Sequence, residues 1–287
     1  MSSLKLLAYA KVNLYLAVYD KRPDNFHDIQ SVISNISIFD ELVFEDNDSL
    51  EVETKHFNID INNNLVAKAA VKMMSLAGEK GVKIILTKNI PVAAGLGGGS
   101  ADAAAVIGGL NKMWNLNLSE QQLCEAASSL GSDVPFFLRG GTALAEGTGE
   151  KITPLASNHR LIYVIAKPSY GILSGDAYAW FDKKPTRDLP PVDSLLDALA
   201  SKNVEKIASN CANALEEGVV SNHPDIGKIK ETAISNGALC SVLSGSGSSV
   251  FSIVKNDASA KRVAKALESL VGTVFVAEGR DFSIEEA

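Results

Sequence analysis

Two long apolar stretches open the chain and predict strands. They run from Leu4 to Tyr19 and from Ile29 to Phe44, with only short polar interruptions, as is typical of strands that lie in a sheet. Residues 64–77 instead place apolar side chains at helical spacing, and either Asn63 or Asn64 can cap that helix. The first quarter of the chain therefore predicts two long strands followed by a helix.

A strand, a glycine-rich loop and a helix follow one another in the next segment. Residues 82–86 are rich in β-branched side chains and predict the strand. The loop and helix read IPVAAGLGGGSADAAAVI over residues 90–107, with four glycines in five positions and then Ser100. The Ser100 hydroxyl can cap the helix. Free amides and the positive end of the helix dipole favour an anion at this loop, most often phosphate.

The loop differs from two common phosphate-binding loops. Gly99 stands where a P-loop needs lysine, and Ser100 stands where the dinucleotide fingerprint needs its last glycine. A flexible Gly/Ser linker is also disfavoured, because linkers are seldom followed at once by a capped, alanine-rich helix.

The rest of the chain alternates helices and strands without a regular repeat. Residues 119–131 predict a helix with Ser119 as N-cap and Gly131 as its stop. Further strands are predicted at 161–166, 238–243, 250–254 and 273–277, and further helices at 193–200, 204–215 and 259–271. We predict an α+β fold of two domains, residues 1–157 and 158–287.

Composition narrows the classes of function. The chain has 287 residues with a formal net charge of −7, so nucleic acid and anionic membranes are not expected partners. No apolar run approaches the length of a membrane span, and the apolar core before Ala8-Tyr9-Ala10 is too short for a signal peptide. Three widely separated cysteines suit a reducing cytoplasm. The expected location is cytoplasmic, as a monomer or homodimer.

Four blocks, taken together, resemble one family. AYAKVNLYL begins at Ala8, PVAAGLGGGSADAAA at Pro91, LGSDVPFF at Leu130 and VLSGSGSSVFSI at Val242. In order and spacing they are similar to the motifs of the GHMP kinases, which phosphorylate small molecules. The resemblance implies a two-domain fold with the active site in the cleft between domains, ATP as co-substrate, and Mg²⁺. The detailed spelling implies phosphorylation of the 2-hydroxyl of a cytidine-diphospho sugar alcohol in the non-mevalonate isoprenoid precursor pathway.

Two residues receive catalytic roles from the resemblance. It implies that Lys11 lies between the acceptor hydroxyl and the γ-phosphate, and that Asp133 is the base that takes the hydroxyl proton. From the residues alone, Lys11 can equally be an edge-strand lysine whose ammonium reaches water. Asp133, just ahead of a proline, can be a simple helix N-cap. Asp133 can be both the catalytic base and the helix N-cap.

The resemblance also implies binding residues around the two substrates. Phe26 and His27 are expected to hold the cytosine, although as a pair they can also be plain surface residues. The nucleotide side is expected to include Asn64, Lys88, Pro91, Val92, Ala93, Ala94, Gly95, Leu96, Gly97, Gly98, Gly99, Ser100 and Ala101. The acceptor side is expected to include Asn13, Phe26, His27, Asp133, Tyr178, Gly245 and Ser246, and Ser100 is the one candidate metal ligand.

Three departures from the family spelling leave alternatives open. Phe26 stands where tyrosine is usual, Leu173 stands where serine is usual, and Ala101 replaces a second serine of the glycine loop. Another GHMP kinase, acting on mevalonate or homoserine, is an alternative, as is a non-catalytic homologue that binds nucleotide and senses a metabolite. The presence of both Lys11 and Asp133 argues against the sensor.

Overall fold

The computed structural model describes residues 3–55, 64–78, 80–155, 161–186 and 188–287. The strands are β1 (Leu4–Lys21), β2 (His27–Asp46), β3 (Leu50–Lys55), β4 (Val82–Thr87), β5 (Thr142–Gly147), β6 (Lys151–Pro154), β7 (Ile162–Lys167), β8 (Ala212–Asn213), β9 (Cys240–Leu243), β10 (Val250–Val254), β11 (Thr273–Arg280) and β12 (Ile284–Glu286). The helices are α1 (Leu65–Ala77), α2 (Gly98–Met113), α3 (Glu120–Ser128), α4 (Val134–Arg139), α5 (Ser174–Lys183), α6 (Val192–Ala200), α7 (Val204–Ser209), α8 (Glu216–Asn222), α9 (Pro224–Ser235) and α10 (Asp257–Leu267).

A mostly antiparallel sheet joins the two halves of the chain. Its main path runs β12-β1-β2-β11-β7-β10-β9, while β4 and β5 also pair with β2. Strand β11 pairs with β7 over most of its length, and its last residues, Gly279 and Arg280, pair with Ile36 and Asn35 of β2. The mixture of helices and antiparallel strands confirms the predicted α+β class. The predicted boundary at 157/158 lies outside the described residues.

Helix α2 is almost completely buried, since nearly every residue from Ala101 to Leu110 is shielded from solvent. Small side chains allow this close approach: a Cβ on Gly109 would lie 3.0 Å from side-chain carbons of Leu6 and Phe44. Helices α1 and α4 pack beside it over the face formed by β1, β2 and β4. The alanine-rich stretch after the glycine loop is therefore a core helix, and it packs directly on β1 and β2.

The start of α2 differs from the prediction. The helix begins at Gly98 with Gly97 as its N-cap, in a left-handed conformation (φ 70°) and without a side-chain capping hydrogen bond. Ser100 is thus inside the first turn, and its prediction as the cap is wrong. A glycine cap leaves the first amides without a side-chain partner, which keeps them available to a ligand. Elsewhere, Asn64 caps α1 and Ser119 caps α3 as predicted, whereas α3 ends at Ser128, before Gly131.

The segment after residue 204 was the least well predicted. The expected helix over 204–215 stops at Ser209, because Ala212 and Asn213 pair with Tyr15 and Leu16 of β1. Helices α8 and α9 and strand β12 were not predicted at all. Residues 212–213 pair with a strand that lies some 200 positions earlier, and the local sequence contains no signal for such pairing. Helical periodicity by itself therefore predicted a helix that was too long. None of the helices in the described ranges is long and apolar enough to cross a membrane.

A buried ion cluster lies beneath the glycine loop. The Lys88 ammonium donates to Asp40 of β2 and, at 2.8 Å, to Asp102 of α2. The second oxygen of Asp40 accepts from the backbone amides of Asn89 (2.5 Å) and Ile90 (2.8 Å). All three charged side chains are buried, and burial raises the pKa of Asp102 above its usual range although Lys88 opposes this. The cluster ties a strand, the loop and a helix together.

Replacing Lys88→Met should lower the free energy of unfolding by about 3–5 kcal/mol, because it leaves buried carboxylates without their cation. Urea unfolding at neutral pH measures the loss. The control is Lys83→Met, which removes an ion pair to the half-exposed Glu51 and should change stability little, because such pairs are screened by water. Equal losses in the two variants would contradict the importance of the cluster.

Candidate active site

A cleft of about 510 Å³ brings together most of the residues predicted to act on substrates. The glycine loop, strand β1, Asp133 just ahead of α4, and the turn after β9 all contribute residues to its lining. The predicted site residues that line it are Lys11, Asn13, Asn64, Lys88, the loop from Pro91 to Ser100, Asp133, Tyr178, Gly245 and Ser246. Among the described lining residues, Phe26, His27 and Ala101 do not occur.

Two glycines of the loop are required by contacts within the protein. Gly95 is left-handed (φ 73°), and a Cβ there would lie 1.9 Å from the backbone oxygen of Ser244. Gly97 is also left-handed, and its Cβ would lie 2.7 Å from the Phe137 ring and 2.9 Å from Cγ of Lys11. Both positions therefore exclude any side chain, and the loop is pressed against β1 and the turn after β9.

Hydrogen bonds from both of these neighbours hold the loop. The amide of Lys11 donates to the Leu96 oxygen at 2.9 Å, and the hydroxyl of Ser244 donates to the Gly95 oxygen at 3.0 Å. The first backbone hydrogen bond within the helix, from Ala101 to Gly97, has a length of 2.9 Å. The amides of residues 98–100 precede it and are left out of the helical pattern. These amides form the expected anion site.

Gly98 and Gly99 differ in what lies next to them. A Cβ on Gly98 would lie 2.8 Å from Cγ2 of Ile90 and 3.1 Å from Nζ of Lys88, so it would point into the protein. A Cβ on Gly99 would meet only Leu65, at an ordinary 3.4 Å. The centre of the loop is therefore closed on the protein side at Gly98 and open at Gly99.

Lys11 and Asp133 face each other in the cleft. Lys11 is only 4% exposed, so the alternative of an edge-strand lysine whose ammonium reaches water is wrong. Its Nζ lies 2.6 Å from Oδ1 of Asn13 and 3.3 Å from Oδ2 of Asp133. Asp133 occupies the N-cap position of α4 but its side chain makes no capping hydrogen bond. The Asp133 carboxylate therefore does not cap the helix and instead contacts the Lys11 ammonium.

Asn13 is held in one orientation by a short chain of hydrogen bonds. Its Nδ2 donates to the Ser31 hydroxyl at 2.8 Å, and that hydroxyl donates to the Tyr15 backbone oxygen at 2.7 Å. The amide oxygen of Asn13 must therefore point to Lys11. Asn13 and Lys11 share a strand face, as expected for residues two apart.

The turn after β9 packs closely against Lys11 and Asn13. A Cβ on Gly245 would be 3.1 Å from Oδ1 of Asn13 and 3.5 Å from Nζ of Lys11. The Ser246 hydroxyl lies 3.2 Å from that of Ser174. Asn213 of β8 donates to the Gly245 oxygen at 2.8 Å and so supports the turn from behind. Sequence reasoning missed Asn213, because nothing in its local sequence indicates this long-range contact.

Helix α5 holds His27 beside Tyr178, and of these two residues Tyr178 lines the cleft. The imidazole stacks on Tyr178 with ring centroids 5.2 Å apart, and its Nε2 lies 2.7 Å from Oδ1 of Asp182. His27 is buried, whereas Phe26 beside it is 60% exposed, so the reading of His27 as a surface residue is wrong. Burial and the nearby Asp133 raise the pKa of Tyr178 to about 12. Tyr178 thus lies between the histidine and the reacting end.

Three predicted nucleotide-side residues have structural contacts of their own. The side chain of Asn64 accepts from the Val66 amide at 2.9 Å and caps α1. The ammonium of Lys88 is engaged by Asp40 and Asp102, and the side chain of Ala101 is fully buried. Their contribution to nucleotide binding stays a prediction. In the described parts of the chain, no three His, Cys, Asp or Glu side chains come together as metal ligands.

Comparison with known proteins identifies the family. A family model for the N-terminal domain of GHMP kinases matches residues 64–141, and one for the C-terminal domain matches residues 195–272. The 4-diphosphocytidyl-2-C-methyl-D-erythritol kinase of Caldicellulosiruptor bescii is 38% identical over 277 residues, covering 95% of this chain and 97% of that protein. The enzyme of the same name from Geobacillus sp. (strain WCH70) is 39% identical and covers 95% of each chain.

Solved structures agree with these sequence matches. A crystal structure of 4-(cytidine 5'-diphospho)-2C-methyl-D-erythritol kinase superposes with a TM-score of 0.83 at 32% identity, covering 96% of this chain and 99% of that one. A homoserine kinase from Cytophaga hutchinsonii gives 0.79 at 19% identity, covering 100% and 98%, and so shares the fold. The chain therefore belongs to the GHMP kinase family, within its group of 4-diphosphocytidyl-2-C-methyl-D-erythritol kinases.

Proposed function

We propose that this chain transfers the γ-phosphoryl group of ATP to the 2-hydroxyl of 4-diphosphocytidyl-2-C-methyl-D-erythritol, in the non-mevalonate isoprenoid precursor pathway. The observation that carries the proposal is the buried Lys11 ammonium, 3.3 Å from the Asp133 carboxylate in the cleft that holds the glycine loop. The names of the relatives at 38–39% identity support the acceptor.

The chemistry follows from these positions. Asp133 accepts the proton of the acceptor hydroxyl, whose oxygen then bonds to the γ-phosphorus while the bond to the β–γ bridging oxygen breaks and ADP leaves. Phosphoryl transfer needs chiefly positioning and charge stabilisation. The Lys11 ammonium, 3.3 Å from the Asp133 carboxylate, offsets the negative charge that develops on the transferred phosphoryl group.

The phosphates of ATP bind at the start of α2 in this proposal. The amides of residues 98–100 and the helix dipole favour anionic oxygens there, which gives an acidic protein a local positive potential. Mg²⁺ would supply charge neutralisation on the phosphates. Its expected protein ligand is the hydroxyl of Ser100, which lines the cleft, and phosphate oxygens and water would complete its coordination, as Mg²⁺ commonly prefers.

The remaining assignments follow the resemblance to the family, and most of these residues line the cleft. Asn13 would hydrogen-bond the acceptor's polyol, and Gly245 and Ser246 would close the site over it. Phe26, His27 and Tyr178 would hold the cytidine end, and Asn64, Lys88 and the loop from Pro91 to Ala101 would line the nucleotide side. We propose a division into residues 1–157 and 158–287, a cytoplasmic location, and a monomer or homodimer.

The rival functions have weaker support. Homoserine and mevalonate kinases share the fold at 12–19% identity, which by itself says nothing of the acceptor. A non-catalytic metabolite sensor has no need of the Lys11–Asp133 pair. An ADP-release assay across cytidine-diphospho, mevalonate and homoserine acceptors decides between them, and release only with one of the last two would overturn the proposed acceptor.

Replacing Asp133→Asn should lower kcat by about 10²–10⁴-fold, the usual contribution of a positioned base. The KM for ATP should stay within a few-fold of wild type, since the phosphate site is elsewhere. Steady-state ADP release measures both. Asp193→Asn, at an exposed aspartate in the first turn of α6, is the control. Near-normal turnover of Asp133→Asn would contradict the proposal that Asp133 is the base.

Gly99→Val should raise the KM for ATP by about tenfold or more without lowering the unfolding midpoint. The Cβ would make only an ordinary 3.4 Å contact with Leu65, while the added side chain would crowd the free amides that are proposed to bind phosphate. Gly98→Val is the matched variant. It should lose stability, because its Cβ would press on Ile90. Thermal unfolding and ATP titration separate the effects, and unchanged ATP kinetics in Gly99→Val would argue against this phosphate site.

Phe26→Ala should raise the KM for the acceptor by about tenfold, in keeping with about 1–3 kcal/mol for a lost base stack. A base bound far from the reacting hydroxyl contributes almost equally to ground and transition states, so kcat should change little. The KM for ATP should not move. Tyr19→Ala, at another exposed ring, controls for surface effects. A defect on the ATP side instead would assign Phe26 to the other substrate.

A further inference from the structure

Two of the three cysteines lie together in a second cavity. This cavity has a volume of about 520 Å³, and both Cys211 and Cys240 are among its lining residues. Among the described residues, none lines both this cavity and the active-site cleft. Cys211 immediately precedes β8 and is partly exposed, while Cys240 begins β9 and is buried. Two cysteines that are widely separated in sequence are therefore brought together by the fold.

The two thiols are in hydrogen-bond contact. The Cys211 thiol donates to the sulfur of Cys240, and it also lies 3.3 Å from the backbone oxygen of Ile207. The hydrogen bond from Cys211 lowers the pKa of the Cys240 thiol although burial opposes this, and the Lys230 ammonium, which lines the same cavity, acts in the same direction as the hydrogen bond. Because the thiolate is the reactive form of cysteine, Cys240 is the better nucleophile of the pair.

The segments that carry the two cysteines are held together just beyond them. Asn213, the last residue of β8, follows Cys211 by two positions. Its Nδ2 donates at 2.8 Å to the backbone oxygens of both Leu243 and Gly245. Leu243 ends the strand that Cys240 begins, so the two segments run side by side in the same direction. A change in the separation of the cysteines must therefore also act on Asn213 and its hydrogen bonds.

We propose that Cys211 and Cys240 are an oxidisable thiol pair: a peroxide converts them to a disulfide, which displaces Asn213 and the turn that it supports and so lowers turnover in the cleft. The Cys240 thiolate attacks one oxygen of H₂O₂, the O–O bond breaks, and hydroxide leaves, giving a sulfenic acid. The Cys211 sulfur then attacks the Cys240 sulfur, the S–O bond breaks, and water leaves. The two thiols lose two electrons in all, and the peroxide is reduced to two molecules of water.

The turn after β9 links the thiol pair to the reacting groups. A Cβ on Gly245 would lie 3.1 Å from Oδ1 of Asn13 and 3.5 Å from Nζ of Lys11, so a displacement of this turn changes the surroundings of both. Disulfides of reducing compartments are usually transient and catalytic or redox-sensing, which fits a pair that lies outside the cleft. Formation of the disulfide is independent of the proposed function, whereas its effect on turnover rests on that function.

Thiol counting tests the pair without any substrate. The chain has three cysteines, so treatment with H₂O₂ should lower the number of free thiols from three to one. Mass spectrometry should show the loss of two hydrogens and a peptide that joins Cys211 to Cys240, and dithiothreitol should restore all three thiols. The matched control is Cys124→Ser, because Cys124 is also partly exposed but lies on α3. This variant should form the same disulfide.

Two results of this experiment would overturn the proposal. One is the addition of oxygen atoms to Cys240 without a link to Cys211, because a pair in contact should close to the disulfide first. The other is a disulfide that involves Cys124, either within the chain or between two copies of it on a non-reducing gel. Unchanged thiol content after H₂O₂ treatment would equally contradict an oxidisable pair.

Steady-state ADP release tests the link to the cleft. After oxidation, kcat should fall by about tenfold in the wild-type protein and in Cys124→Ser, the usual scale for disturbed buried hydrogen bonds, and it should return with dithiothreitol. Cys211→Ser and Cys240→Ala should have wild-type turnover and keep it after H₂O₂ treatment. Thermal unfolding checks that both variants are folded, and Cys211→Ser, at the more exposed position, remains decisive if Cys240→Ala is unstable.

The outcomes of the kinetic test separate the two proposals. An equal loss of turnover in Cys211→Ser would show that the disulfide is not the cause, and a disulfide without any loss of turnover would refute the link to the turn after β9. Failure of the reduced wild-type protein to use any cytidine-diphospho acceptor would refute the proposed function. That failure would leave the result of the thiol count unchanged.

Discussion

The close approach of the glycine loop to its neighbours is the constraint on which the rest of the structure depends. At Gly95 there is no room for a Cβ against the Ser244 oxygen, and at Gly97 none against Phe137 and Lys11. The loop is therefore a packed junction among β1, α4 and the turn after β9. Because the same backbone leads into the free amides of α2, the geometry of the proposed anion site is set by packing within the chain before any ligand binds.

The electrostatics of the site follow from that packing. The chain is acidic overall, with a net charge of −7, and the cleft still collects positive potential from the helix start and from Lys11. The ammonium of Lys88 contributes less than its position suggests, because Asp40 and Asp102 neutralise it. Burial of the Lys88 cluster is better explained by its hold on the loop than by a direct attraction for phosphate.

The acceptor side is organised by a single helix. From α5, Tyr178 reaches toward Asp133 while Asp182 and Phe181 hold His27. One helix thus contacts both the proposed catalytic aspartate and the histidine proposed to hold the cytidine, which suits a long acceptor that must be bound at one end and phosphorylated at the other. A shift of α5 would disturb both ends together.

The sequence by itself determined many of the helices and strands, the family and most of the residues that line the cleft. Periodicity and caps located α1, and the spelling around Lys11, Asp133 and the glycine loop was specific enough to identify the chemistry. These features are local, because a cap, a strand pattern or a glycine run is written in consecutive residues. The α+β class followed for the same reason.

Only the tertiary structure decided which side chains meet. It moved the N-cap of α2 from Ser100 to Gly97, since the left-handed Gly97 fits its neighbours and needs no hydroxyl cap. It also brought Asp182 to His27 across 155 positions of sequence and ended α7 early in favour of strand pairing. Contacts between distant segments depend on the packing of the whole chain, and no local pattern records them.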